Sequence, residues 1–256
     1  MTGLTVLLPP SETKREGGDP ARALDLGALS FPELSDERAA VITAARSVSS
    51  EESTARTALK LGPRSVDERL RNLELDTAPT MPAIERYTGV LYDPLDATAA
   101  DDRTRGWWSD HVVVQSAMFG PIAAGDAIPA YRLSHDSRLG ALRLAKHWPE
   151  ASTRAIGTRG DGLVLDLRSE GYRALGPVAG ALALRVVSVD AGGRRKALNH
   201  WNKTAKGRLV ALLGRTAADV DDVDALVAWA RAHDVVLERT VDGWDLVAES
   251  LEPVRA

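Results

Sequence analysis

The chain contains no cysteine. Disulfides, thiolate metal sites and redox-sensing thiols are therefore excluded together, and a response to oxidants cannot run through a thiol of this chain. Its five histidines, His111, His135, His147, His200 and His233, fall at no paired ligand spacing. A zinc site is thus not expected, nor any other metal or cofactor. No apolar run approaches the ~18 residues of a membrane span. The residues after Met1 carry neither a basic n-region nor a long apolar core, so no secretory signal or membrane partner is expected and the cytoplasm is the default location. Gly157-Thr158-Arg159-Gly160-Asp161-Gly162 lacks the order and the lysine of a phosphate-binding loop, and no Gly-x-Ser-x-Gly elbow occurs. Positive charge is not in excess either. With 32 Lys and Arg against 36 Asp and Glu, the net charge is −4, so nucleic acid would have to be held by a local basic patch.

What is present reads as an ordinary globular chain of 256 residues, 44% hydrophobic, long enough for one large domain. Short apolar runs at 4–8, 111–115, 163–167 and 183–189 read as buried strands separated by helices. They predict an α/β fold, mixed α+β in detail: a single compact domain over 1–256 with a mixed β-sheet flanked by helices. Helices are expected after Ser35, from Ser50 through Leu59, after the Ser65–Glu68 capping box, from Pro82 past Tyr87, and over Leu139–Trp148. The tail, 221–248, reads as a helix and a hairpin turning at Asp242-Gly243.

The chain is organised around Leu4-Thr5-Val6-Leu7-Leu8-Pro9-Pro10-Ser11-Glu12-Thr13-Lys14. Proline cannot donate to a sheet ladder, so Pro9-Pro10 should end the strand. Ser11, Glu12, Thr13 and Lys14 then reach the rim of the sheet, where open α/β folds place ligand crevices. The second strand ends similarly, in Ser116-Ala117-Met118-Phe119-Gly120, and Ser116, Phe119 and Gly120 join the candidate ligand residues. Arg86-Tyr87 and Tyr131-Arg132 are two pairs suited to an anion or a base, Arg by its fork and Tyr by its hydroxyl and ring face; Tyr92 follows close by. Six cations without an acid occupy 194–208. On a helix Asn199, Asn202, Lys203 and Lys206 share one face, with Arg208 beyond them. Glu12 or Asp166 is a candidate base, with Lys14 as an electrostatic partner, and Lys206 on the basic face joins the candidate catalytic residues. Trp107-Trp108 reads as a core plug, and the Gly17-Gly18 loop as surface.

Residues 50–75 have the outline of a helix-hairpin-helix around Leu61-Gly62-Pro63-Arg64-Ser65. Such hairpins grip backbone phosphates through turn N–H groups and nearby cations, here Lys60, Gly62 and Arg64. Lys60 stands where the usual hairpin has a second glycine, and an ordinary helix–helix corner gives the same outline.

The N-terminal stretch, Arg86-Tyr87-Thr88-Gly89-Val90-Leu91-Tyr92, Ser116–Gly120, Pro129-Ala130-Tyr131-Arg132-Leu133 and the basic run around Lys203–Arg208 recur in one order. In that order the chain resembles the YaaA family of peroxide stress resistance proteins, as a divergent member. The resemblance implies a single compact mixed domain that protects against oxidative stress and binds double-stranded DNA. The family's Asn-Leu-Ala-Ser-x-Glu-Tyr pattern is altered here: Asp166 replaces the asparagine, Arg168 the alanine and Gly171 the glutamate, with Glu170 adjacent. Two readings stay open. One is a DNA-binding stress protein using a basic cleft. The other is an enzyme without metal, a hydrolase or lyase acting on a nucleoside, nucleotide or nucleobase, for instance at an N-glycosidic bond. The oligomeric state is not legible.

Overall fold

A computed structural model describes residues 3–189, 194–197, 202–241 and 243–251. In chain order the first elements are β1 (Thr5–Leu8), α1 (Ser35–Ser49), α2 (Glu52–Ala58), α3 (Leu70–Leu73), β2 (Met81–Pro82), α4 (Ala83–Arg86) and α5 (Asp102–His111). There follow β3 (Val112–Ser116), β4 (Gly120–Ala123), β5 (Ala127–Ile128), α6 (Leu144–His147), α7 (Pro149–Gly157), β6 (Val164–Asp166) and α8 (Glu170–Arg173). The last are β7 (Leu182–Val189), β8 (Arg195–Ala197), α9 (Asn202–Thr216), α10 (Val223–Ala232), β9 (Leu237–Thr240) and β10 (Gly243–Val247).

The fold is mixed α/β, built on an eight-stranded sheet in the order β4-β3-β1-β6-β7-β10-β9, with β8 paired to β7. β1 lies between β3 and β6 and runs parallel to both. All four of its residues are buried, which is why it reads as a continuous apolar run. Successive side chains leave opposite faces. Val6, Leu8, Val112 and Val114 enter the large core, while Leu7 and Val113 meet Phe31, Leu34, Ala151, Ala155 and Ile156 on the other side. The chain steps from β1 to β3 on one side and later returns to β6 on the other. That reversal opens a crevice beyond the carboxyl ends of β1, β3 and β6.

The core plug is as the sequence suggests: Trp107 and Trp108 are buried, their indole N–H groups donating to Ala218 O and Val210 O at 3.0 and 3.1 Å. α5 starts at the Asp101 cap, which accepts from the Thr104 amide at 2.8 Å.

Several expected elements differ. Tyr87 does not lie mid-helix: α4 ends at Arg86, Tyr87 is extended, and Met81–Pro82 forms a short strand with β5. Asp126 O and Ala124 O accept from the amides of Ala83 and Ile84, and these bonds fix the local path. Ser35 and Ser50 cap no helix through their side chains; each hydroxyl donates back to a carbonyl three residues earlier. Only Leu144–His147 of the expected 139–148 helix is helical, continuing almost directly into α7. Gly243 already pairs with Thr240, so it belongs to β10 and not to the turn. Asp242, Asn199, His200 and Trp201 lie outside the described residues.

The hairpin region departs further. Its second arm is a 3-10 turn, Val66–Arg69, followed by the four-residue α3. Ser65 makes no side-chain cap; its hydroxyl instead accepts from the Gly62 amide at 3.1 Å. Lys60 sits in the left-handed region at φ 55°, where the usual hairpin has glycine, and its amine pairs with Asp136. The Gly62 amide and the Lys60 charge are thus already engaged, and Arg64 is exposed. This is the geometry of a helix–helix corner.

Candidate functional site

The crevice is a cleft of about 510 Å³. It is lined by the post-β1 segment Pro9–Thr13, by Gly89–Tyr92, by Ser134 and His135, by Ser169 and Tyr172, and by Lys203 from α9. The volume falls in the range of small-molecule sites, about 300–1,000 Å³.

Pro9-Pro10 carries the chain off the sheet as expected, and 11–14 then zip onto 87–89. Lys14 bridges Tyr87, and the Thr88 amide donates to Thr13 O at 3.2 Å. Thr13 Oγ1 lies 3.2 Å from Ser11 Oγ and donates to Thr88 O. Gly89, at φ 99°, lies against both hydroxyls; a Cβ there would stand 3.2 Å from Thr13 Oγ1. The Tyr92 hydroxyl donates to Pro9 O at 2.7 Å and so pins the two segments together.

Lys14 is the unusual group. It is 8% exposed, and its Nζ donates to Ser11 O at 2.9 Å and lies 3.4 Å from Glu12 O, directly beneath the cleft wall. Its ammonium also lies 4.1 Å from the Tyr131 ring centroid and 5.5 Å from that of Tyr87, contacts that favour the charged form. Among the described residues it has no carboxylate in contact. Burial, followed by the nearby Arg132 and Arg71 cations, lowers its pKa from 10.5 to about 7. Behind it runs a chain of hydroxyls: Tyr87 to Tyr131 at 2.8 Å and Tyr131 to Ser116 at 2.9 Å, with Ser116 Oγ accepting from the Met118 and Phe119 amides. Burial raises the pKa of both tyrosines, which therefore stay protonated.

Lys206 lies under the β6 side. It is 7% exposed and donates to Leu167 O at 3.2 Å; burial, then Arg173, lowers its pKa to about 8, with Asp166 opposing. Neither lysine belongs to the cleft wall itself. Lys203 does, and it is exposed.

Other candidates hold structure instead. Arg86 is fully buried, and its guanidinium donates to four carbonyls, those of Ile128, Arg15, Gly17 and Pro79, with no room left for an anion. That clamp also explains the Gly17-Gly18 loop. It is held against 79–86, and a Cβ on Gly18 would stand 2.5 Å from Thr80 O. Asp166 is no free base: the Arg168 guanidinium grips it with bonds of 2.9 and 2.7 Å, and the Arg168 amide adds a third. Phe119 packs edge-on against Tyr131 and gives its carbonyl to Arg38, while Gly120, at φ 66°, makes room for the Trp148 ring. Arg132 bridges Glu12 at 3.1 Å and Glu68 at 3.3 Å at the rim, where the Glu12 side chain is 63% exposed. Asn202 is half-buried at the start of α9, and Arg208 points away toward Leu251 O at 3.4 Å. Lys60, Gly62 and Arg64 do not line the cleft.

The sequence reading missed the opposite wall, Ser134, His135, Ser169 and Tyr172. One signal was available: the glycine at 171. A Cβ there would stand 2.4 Å from the His135 ring, so the imidazole occupies the space a side chain at 171 would need. Glu170 is exposed.

The family model for the peroxide stress protein YaaA matches residues 4–233. A UPF0246 protein of Corynebacterium efficiens is 39% identical over 240 residues, covering 92% of this chain and 95% of that protein. One from Corynebacterium glutamicum is 37% identical over 245 residues with the same coverage. One from Streptomyces coelicolor is 36% identical over 253 residues, covering 95% and 97%. The match spans the crevice strands, the Lys14 segment, both Tyr-Arg pairs and α9, and the chain belongs to the peroxide stress protein YaaA family.

Proposed function

We propose that this chain is an enzyme acting on a nucleoside- or nucleotide-sized molecule held in the cleft, with the Lys14 amine as the group that moves a proton. The observation that carries the reading is an amine beneath the wall of a ligand-sized cleft, with no carboxylate of the described residues in contact to hold it charged. A lysine of ordinary pKa is a poor base near neutrality, whereas one lowered to about 7 is half neutral there. The cleft suits an aromatic, hydroxyl-rich ligand. Tyr92, Tyr172 and His135 offer rings, Ser11, Thr13, Ser134 and Ser169 offer hydroxyls, and Lys203 offers a charge for a phosphate.

For cleavage of an N-glycosidic bond, neutral Lys14, which stands behind the wall, takes a proton from the attacking water through one bridging water, and the attacking oxygen bonds to the anomeric carbon. The C–N bond breaks with its electron pair passing to the base. The proton then returns from Lys14 to the leaving nitrogen through the same bridging water.

Duplex DNA draws less support. Binding along a phosphate backbone rests on several lysines and arginines, and among the described residues Lys203 is the one such residue on the cleft wall.

The test is a screen of nucleosides and nucleotides for product, followed by a pH profile. The base form of Lys14 is the active one, so kcat/KM should rise with pH, bend near 7 and level off above it. A rate that keeps rising toward pH 10 removes the assignment, and so does a screen without product or binding.

A further inference from the structure

We propose that His135 is a ligand-contacting residue of this cleft, seated on Gly171 so that its ring nitrogens are left for the bound molecule. This inference rests on the reading of the cleft as a nucleoside or nucleotide site. The other described histidines each commit a ring nitrogen to a backbone carbonyl: His111 to Leu4 O at 2.8 Å, His147 to Glu37 O at 3.0 Å and His233 to Trp229 O at 2.8 Å. Among the described residues, His135 has no hydrogen-bond partner at either nitrogen, although it is half-buried and lines the cleft.

Packing holds the ring instead. Tyr172 meets it edge-on, with centroids 5.0 Å apart and planes at 74°. On another side lies the bare Cα of Gly171: a Cβ built there would come within 2.4 Å of Cε1, 2.6 Å of Nδ1 and 2.7 Å of Nε2. Any other residue at 171 therefore displaces the imidazole. A ring held by packing at the cleft wall, with its polar atoms unspent, is arranged to meet a partner that arrives later. A neutral imidazole offers one donor and one acceptor. Either one can meet a complementary atom on the edge of a nucleobase, while Tyr172 supplies an adjoining ring face.

Two variants separate this role from simple packing. His135→Gln leaves the fold standing and lowers affinity for the best-binding member of a panel, the four common ribonucleosides and their 5′-monophosphates, by about tenfold, the size of one hydrogen bond. Gly171→Ala moves the ring from its seat and lowers affinity by a similar factor. Because both act through one imidazole, the double variant loses little more than either single one. Ring 15N spectra of the full chain supply the second readout, with the His135 signals identified by their loss in His135→Gln. These signals should shift when the panel member is added. If that member moves the Ser11 and Thr13 amides but leaves the His135 ring unmoved, or binds His135→Gln as tightly as the parent, the His135 assignment is overturned and the cleft reading survives. If the panel moves no signal at all, both fall.

Discussion

Lys14→Met yields a protein that melts above the parent and has no turnover. Both effects come from one amine. Folding takes the Lys14 pKa from 10.5 to about 7, so between those values the unfolded chain holds more protons than the native one, and stability climbs with pH across that window. Below pH 7 the penalty is present in full, on the order of 3–5 kcal/mol for a shift of this size; above about pH 10.5 it is gone. Methionine keeps most of the stem, loses the charge and leaves the Ser11 and Glu12 carbonyls to water. The gain in melting temperature should be several degrees at pH 6, since a kcal/mol moves a domain of this size by roughly 2–4 °C, and should fade toward pH 10. An active site commonly holds this kind of stability cost. A Lys14→Met protein that melts lower at every pH would show that the amine is there for the fold.

Arg86→Met acts in the opposite direction. Arg86 is fully buried and carries four backbone carbonyls from three separate segments. Burial lowers its pKa, and Glu16 is the leading opposing charge. Removing the guanidinium strands those acceptors, and an orphaned buried polar group costs about 1–3 kcal/mol. We expect a loss of more than about 3 kcal/mol and a drop in melting temperature on the order of 10 °C. Arg86→Lys should not rescue it, because an ammonium cannot reproduce the planar fork that reaches all four. Thermal melts of the two variants decide this, and a change within a degree of the parent would contradict the clamp.

These two residues mark what the sequence made legible. The place of Lys14 in the fold was legible because a short apolar run followed by Pro9-Pro10 has a single sensible path, off the carboxyl end of a buried strand. The same logic located Ser116. Arg86 was misread because an arginine beside a tyrosine suggests an anion site as readily as an internal clamp, and its partners are carbonyls, which leave no trace in residue identity. Asp166 misled similarly: its partner Arg168 is two residues away, yet the strand end at Asp166 must be known before the two can be seen to grip each other. Gly62 and Lys60 had the outline of a hairpin, but Ser65 and Asp136 had already taken the groups that would grip a phosphate. His135 left only an indirect sign, in the glycine that makes room for it.

The most direct test of the account follows the Lys14 amine itself. Its side-chain resonances, identified by their loss in Lys14→Met, can be titrated by NMR with and without the best-binding member of the panel. The account predicts a midpoint near pH 7 in the free protein and a shift in the resonance when the ligand enters the cleft. A midpoint near 10.5, insensitive to every nucleoside and nucleotide offered, would contradict it.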